Sequence, residues 1–160
     1  MKLKLISCAL MALVVTFTAC KKDDAIENPT TSQNNQLTAK VDGVSFQSKE
    51  VAAISHDGNV LVTAEDAQGN TVTISGPAEV GTFSSASGDA TSGFYTGNNG
   101  NVWLSTFGGG AATITISKYD ASAKKISGSF SFTALPSGGD ATGTKTITNG
   151  SFTDVSFLVQ

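Results

Sequence analysis

From Leu37 onward, apolar and polar residues alternate along the chain with a period of two. Leu37, Ala39 and Val41 interleave with Thr38, Lys40 and Asp42, and beyond Asp42-Gly43 the alternation resumes through Val44, Phe46 and Ser48. Successive side chains of a strand point to opposite faces, so this spacing predicts strands with one buried face. Asp-Gly between two such runs predicts a two-residue hairpin turn. The pattern recurs as Val51 to His56, the turn Asp57-Gly58-Asn59, Val60 to Glu65, the turn Gln68-Gly69-Asn70, and Thr71 to Ser75 closed by Gly76-Pro77. Gly81-Thr82-Phe83 and Phe94-Tyr95 predict short strands in a Gly- and Ser-rich middle. Val102 to Phe107, Ala112 to Lys118, Ile126 to Thr133, Lys145 to Thr148 and Ser151 to Val159 complete the set. No helical period occurs in this region.

About ten short strands with turn residues every eight to twelve positions predict an all-β domain. The expectation is a single antiparallel β-sandwich over residues 37–160, with a β-barrel as the alternative. Its buried face would gather Val41, Phe46, Val62, Ile74, Trp103, Ile114, Ile116, Phe130, Phe132, Ile147 and Phe157. Strict alternation puts Phe152 and Phe157 on opposite faces. Either a bulge lies near Asp154 or the last strand is buried on both sides.

The N-terminal segment follows a different pattern. Lys2 and Lys4 precede the apolar stretch Leu5–Ala19, which is broken only by Ser7, Thr16 and Thr18. A bilayer-spanning helix needs about 20 apolar residues, so this shorter stretch, followed by Lys21-Lys22-Asp23-Asp24, predicts a removable export signal over residues 1–19. Phe17-Thr18-Ala19-Cys20 resembles the lipobox of bacterial lipoproteins, with Phe in place of the more usual Leu. In that class the cysteine thiol carries the diacyl anchor, so the resemblance implies membrane attachment through lipid on Cys20. Cys8 lies inside the signal and would leave with it, so Cys20 has no partner for an intramolecular disulfide. The run Lys21, Lys22, Asp23, Asp24 resembles the export signal that follows the lipidated cysteine in many Bacteroidetes lipoproteins. It implies an outer-membrane location facing the cell surface, with the periplasmic face as the alternative. Residues 20–36 are otherwise rich in Asn, Thr, Ser and Gln, a composition that predicts a disordered tether.

In the domain itself, Ile126-Ser127-Gly128-Ser129-Phe130-Ser131-Phe132-Thr133, Ile147-Thr148-Asn149-Gly150-Ser151-Phe152 and Ala39-Lys40-Val41-Asp42-Gly43 with Phe46 resemble a family of uncharacterised Bacteroidetes lipoproteins. The resemblance implies a β-rich envelope lipoprotein and brings no activity and no site residues.

Charge and chemistry narrow the reading further. The chain has no arginine and a formal net charge of −3. Without guanidinium groups to grip phosphate, nucleic acid is not an expected partner. The domain has no cysteine and His56 is its one histidine, so neither a cofactor nor a zinc or redox-metal site is expected. His56 beside Asp57-Gly58-Asn59 reads as an exposed turn residue, with no Gly-x-Ser-x-Gly context for a triad. Ser87-Gly88-Asp89-Ala90-Thr91 and Ser137-Gly138-Gly139-Asp140-Ala141-Thr142 each offer one carboxylate, too few for a calcium cage. Glu65 and Asp66 point to opposite faces of a strand, and Glu50, Glu79 and Asp154 meet only if the fold joins them. No catalytic residues are therefore assigned. The candidate ligand-binding residues are Tyr95, Asn98, Asn99, Trp103 and Tyr119, aromatic rings for stacking with amides for hydrogen bonds, although large aromatics ordinarily belong to the core. Thr-x-Thr pairs at Thr71/Thr73, Thr113/Thr115 and Thr146/Thr148 suit the wet side of a strand, and an ice-binding face would need a repeat of fixed length that is absent. The functional expectation is a non-catalytic binding or structural module for a glycan or an envelope protein. The alternative is a small glycan-directed hydrolase.

Overall fold

A computed structural model describes residues 36–160. The signal segment 1–19, Cys20, Lys21, Lys22, Asp23, Asp24 and the rest of the linker lie outside the described residues, apart from Gln36. Ten strands follow one another: β1 Gln36–Val41, β2 Val44–His56, β3 Asn59–Asp66, β4 Thr71–Pro77, β5 Gly81–Ser84, β6 Ser92–Thr96, β7 Val102–Leu104, β8 Ala111–Asp120, β9 Lys125–Gly138 and β10 Lys145–Val159. A single 3-10 turn, Ser85–Ser87, is capped by Ser84. The described residues are thus all-β, as the period of two predicts.

The turns obey their sequence chemistry. Asp42-Gly43 and Asp57-Gly58 have positive φ at both residues (49° and 83°, 47° and 73°), the requirement of a type I′ hairpin. Two breaks in alternation turn out to be irregularities inside strands rather than strand ends. Val44–Ser48 and Val51–His56 form one continuous β2, with its register shift between Ser48 and Glu50. Lys145–Thr148 and Ser151–Val159 form one β10, which crosses a shift between Ile147 and Gly150 at Asn149, φ 53°. Of the two alternatives for the last strand, the bulge near Asp154 is the one present. Asp154 has φ 48°, the β9–β10 register shifts between Phe152 and Val155, and both Phe152 and Phe157 are buried.

These long strands define the topology, because each changes neighbours along its length. β2 pairs with β1 through Val44–Gln47 and with β3 through Ser48–His56. β9 pairs with β8 through Lys125–Thr133 and with β7 through Leu135–Gly138. β10 pairs with β9 along most of its length and meets β2 at Phe157–Val159. Hydrogen bonding therefore runs round a ring, β2-β3-β4-β6-β7-β9-β10 and back to β2, in one ten-stranded sheet. The sheet is mixed rather than wholly antiparallel, since β10 runs parallel to β2 beside Ala53–Ser55.

Two layers of this ring face each other, β5-β8-β9-β10-β1 on one side and β2-β3-β4-β6-β7 on the other. Glycines allow their close approach. A Cβ on Gly93 of β6 would stand 2.4 Å from the Phe132 ring of β9, and one on Gly76 of β4 would stand 2.6 Å from Ile114 of β8. Between the layers lie Leu37, Val62, Val72, Ile74, Ile114, Ile116, Ile126, Ile147 and Phe152, all nearly inaccessible. Burial of such a side chain contributes roughly 1.5–3 kcal/mol, so this interior holds the ring together without disulfides.

Candidate binding site

One end of the ring carries a recess built on the β1–β2 hairpin. The backbone N–H of Asp42 donates to Thr146 O at 2.8 Å, while its carboxylate accepts from Thr146 N at 2.8 Å and from Lys145 Nζ at 2.7 Å. The start of β10 is thereby clamped to the turn. Lys145 then reaches across a pair of rings, with Nζ 5.7 Å from the centroid of Tyr95 and 5.2 Å from that of Trp103. Both distances fall within cation–π range. Tyr95 and Trp103 are register partners on β6 and β7, with centroids 5.6 Å apart.

The other wall comes from the β3–β4 turn. Asp66, buried at the end of β3, accepts from Gln68 N and Asn70 N at 2.9 Å each and from Asn70 Nδ2 at 2.8 Å. Asn70 Oδ1 in turn accepts Asn98 N at 3.1 Å, which ties this turn to the β6–β7 turn. The cavity enclosed by Asp42, Ser45, Asp66, Asn70, Tyr95 and Lys145 measures about 240 Å³. Pockets for whole small molecules run from about 300 to 1,000 Å³, so this one suits a single polar group such as a hydroxymethyl or an amide at the edge of a larger ligand.

Its electrostatics follow from the packing. Burial pushes the Tyr95 phenol up, Lys145 opposes that, and Asp66 and Asp42 reinforce it, so the hydroxyl stays a donor across the neutral range. Burial acts to raise Asp42, but the Lys145 hydrogen bond, the Thr146 N–H and the Lys145 charge together outweigh it and hold the carboxyl below its ordinary value. A depressed carboxylate contributes stability above its unfolded pKa of about 4, and that contribution is lost as pH falls through the lower folded value. The pair is partly exposed, at 27% for Lys145 and 39% for Asp42, so screening keeps the effect below about 1 kcal/mol. Asp42→Asn is accordingly expected to lower the thermal midpoint at pH 7 by a few degrees, with the gap from wild type narrowing as pH drops below about 4. A gap that widens in acid contradicts the assignment.

The sequence-predicted residues divide between two places. Tyr95, Asn98, Asn99 and Trp103 gather at this end. Trp103 is core, 6% exposed, and spends its Nε1 on Gly143 O at 3.0 Å, so its face is not offered for stacking. Tyr95 is 9% exposed. Asn98 and Asn99 are exposed in the turn, where Asn99 Oδ1 accepts Asn101 N at 3.2 Å. Tyr119 lies toward the opposite end, stacked on Phe157 at 5.0 Å with its hydroxyl 2.9 Å from Ser55 Oγ. Asp42, Asp66, Asn70 and Lys145 escape sequence reasoning. The turn Asp66-Ala67-Gln68-Gly69-Asn70 signals an Asx-type cap, whereas nothing local marks Lys145.

Two carboxylates meet elsewhere. Glu50 on β2 and Glu65 on β3 are direct register partners, beside a groove of about 580 Å³ whose walls include Ala53, Ile54, Thr63, Phe157 and Leu158. Both are exposed. Among the described residues, no group of three or more His, Cys, Asp or Glu is placed to hold a metal ion. His56 is exposed, 3.0 Å from Gln160 O through Nδ1 and 3.2 Å from Asp57 through Nε2.

Fold and site together define a ring-bonded, all-β domain with a small polar recess over buried aromatics. The chain belongs to the family described as a domain of unknown function (DUF6252), whose model matches residues 33–156. Comparison with curated proteins and with solved structures gave no match.

Proposed function

We propose that this protein is lipid-anchored in the outer membrane and displays a non-catalytic β-domain that binds a glycan or another envelope protein. The observation that carries the binding reading is the recess of Asp42, Asp66, Asn70, Tyr95 and Lys145, where donors and acceptors are held in fixed positions by their own hydrogen bonds. Such preorganisation lets a ligand's polar group be gripped at little entropic cost. Anchoring is supported by Thr18-Ala19-Cys20 after an apolar export stretch, and display at the surface by Lys21-Lys22-Asp23-Asp24. Two or more acyl chains give stable attachment where a single chain does not.

A second reading, a glycan-directed hydrolase, is favoured by the Glu50–Glu65 apposition. Directly opposed strand residues have Cβ atoms about 5 Å apart, and paired catalytic carboxyls lie at about 5–9.5 Å. An acid and a base must, however, sit in environments that differ, and both of these are exposed to solvent.

Proteinase K treatment of intact cells, followed by immunoblotting of membrane and soluble fractions, tests the proposal. The wild-type domain is expected to be digested, and Cys20→Ala to leave the membrane fraction. Protection until the outer membrane is broken overturns surface display, and membrane retention of Cys20→Ala overturns the anchor.

A further inference from the structure

We propose that the outer face of the β5-β8-β9-β10-β1 layer docks a neutral polysaccharide lying across the strands. The inference rests on the binding reading and names a ligand class and a larger surface for it. Its basis is a row of hydroxyls in direct register. Thr82 of β5 faces Thr115 of β8, Thr115 faces Ser129 of β9, and Ser129 faces Ser151 of β10. Ser151 then faces Thr38 of β1, and Thr38 faces Gln47 of β2. Their chain neighbours Ile114, Ile116, Phe130, Phe152, Leu37 and Phe46 are buried, so the row points outward. Strands lie about 4.8 Å apart, which makes the row about 24 Å long. One step along the strands a second row runs through Ser84, Thr113 and Ser131 on one side, and through Thr148, Lys40 and Ser45 on the other.

Lys40 is the single charged side chain in these rows. The ion pairs Asp42–Lys145 and Lys118–Asp154 border them, the second in the adjacent row beside Ser127. Solvent-facing sheet surfaces usually interleave charges of both signs, and lysine in particular guards edges against other strands. Two rows with Lys40 as their one charge give a polyelectrolyte little to grip, and they match a partner that is itself uncharged. Hydroxyls both donate and accept, so a hydroxyl array is complementary to a ligand whose groups are hydroxyls. Neighbouring hydroxyls already lie within bonding distance, as Thr82 Oγ1 and Thr115 Oγ1 do at 2.9 Å. Twist then selects a flexible chain over a rigid plane. At roughly 20° per strand, five steps rotate the surface by about 100°, which a winding polymer can follow and a crystal lattice such as ice cannot.

The test is affinity electrophoresis of the full-length protein in detergent, through gels containing a neutral β-glucan, a mannan or a xylan, with polygalacturonate as the anionic comparison. Retardation by at least one neutral polymer and none by polygalacturonate is the expected result. Thr115→Glu combined with Ser129→Lys places opposite charges in register, which preserves the strand pair, and is expected to weaken retardation at least tenfold. Thr82→Lys, on the outermost strand, should act in the same direction with Thr115 and Ser129 both unchanged. Lys49→Gln, exposed on β2 outside both the rows and the recess, should leave retardation unchanged. Loss in the recess variant Lys145→Met alone would overturn the face and leave the recess reading standing. Absence of retardation in every neutral gel, or thermal hysteresis in its place, would also overturn the proposal, the latter in favour of ice.

Discussion

Gly93→Ala is expected to destabilise the domain by about 2–3 kcal/mol, the cost of overpacking a well-filled interior. The added Cβ would stand 2.4 Å from Cγ and 2.5 Å from Cδ1 of Phe132, at the root of the ring rather than at a flexible tip. Ring and backbone belong to β9 and β6, which face each other across the layers, so relief requires the layers to part. The clash also predicts its own rescue. Phe132→Leu alone should cost about 1–2 kcal/mol through lost packing, while the double variant Gly93→Ala/Phe132→Leu should be less destabilised than the sum of the two. Urea unfolding of the four proteins measures that coupling, and strictly additive losses would show that the layers are not in contact at this point.

Trp103→Ala is expected to cost more, about 3–5 kcal/mol. Its indole fills the floor beneath Lys145, donates to Gly143 O, and packs on Tyr95. Truncation leaves a void, an unpaired carbonyl in the β9–β10 connection, and Lys145 without its aromatic seat. Trp103→Phe should recover more than half of that loss, since the ring returns and the Nε1 bond does not. Trp103 is the chain's sole tryptophan, so its emission reports the same site. A blue-shifted maximum that resists quenching by acrylamide is expected. A red, readily quenched signal would place the ring at the surface and contradict the core assignment.

How much of this was legible in the sequence depends on the range over which each cause acts. Hairpins at Asp42-Gly43 and Asp57-Gly58 were readable because a two-residue turn with positive φ selects for those residues locally. Inward faces were readable because the alternation is local too, and Phe152 with Phe157 marked a bulge near Asp154 as one of two alternatives. Strand ends were not, since a bulge and a strand end break alternation in the same way. Ring closure was also hidden, because the parallel meeting of Phe157–Val159 with Ala53–Ser55 joins segments a hundred residues apart. The candidate site divides along the same line. Tyr95 and Trp103 stood out as aromatics in a glycine-rich stretch, yet their chemistry depends on Lys145 and Asp42, which reach them only through the fold. Tyr119 looked equivalent by composition, and the register carries it away to Phe157. The hydroxyl row is the extreme case. Each serine or threonine alone is an ordinary wet-side residue, and only strand register lines them up.

Non-catalytic glycan binding is tested by incubating the full-length protein in detergent with a neutral polysaccharide and following retention and new reducing ends together. Retention of the polymer at constant chain length is the expected result. New reducing ends that disappear in Glu50→Gln or Glu65→Gln would contradict it and make the paired carboxylates the working site.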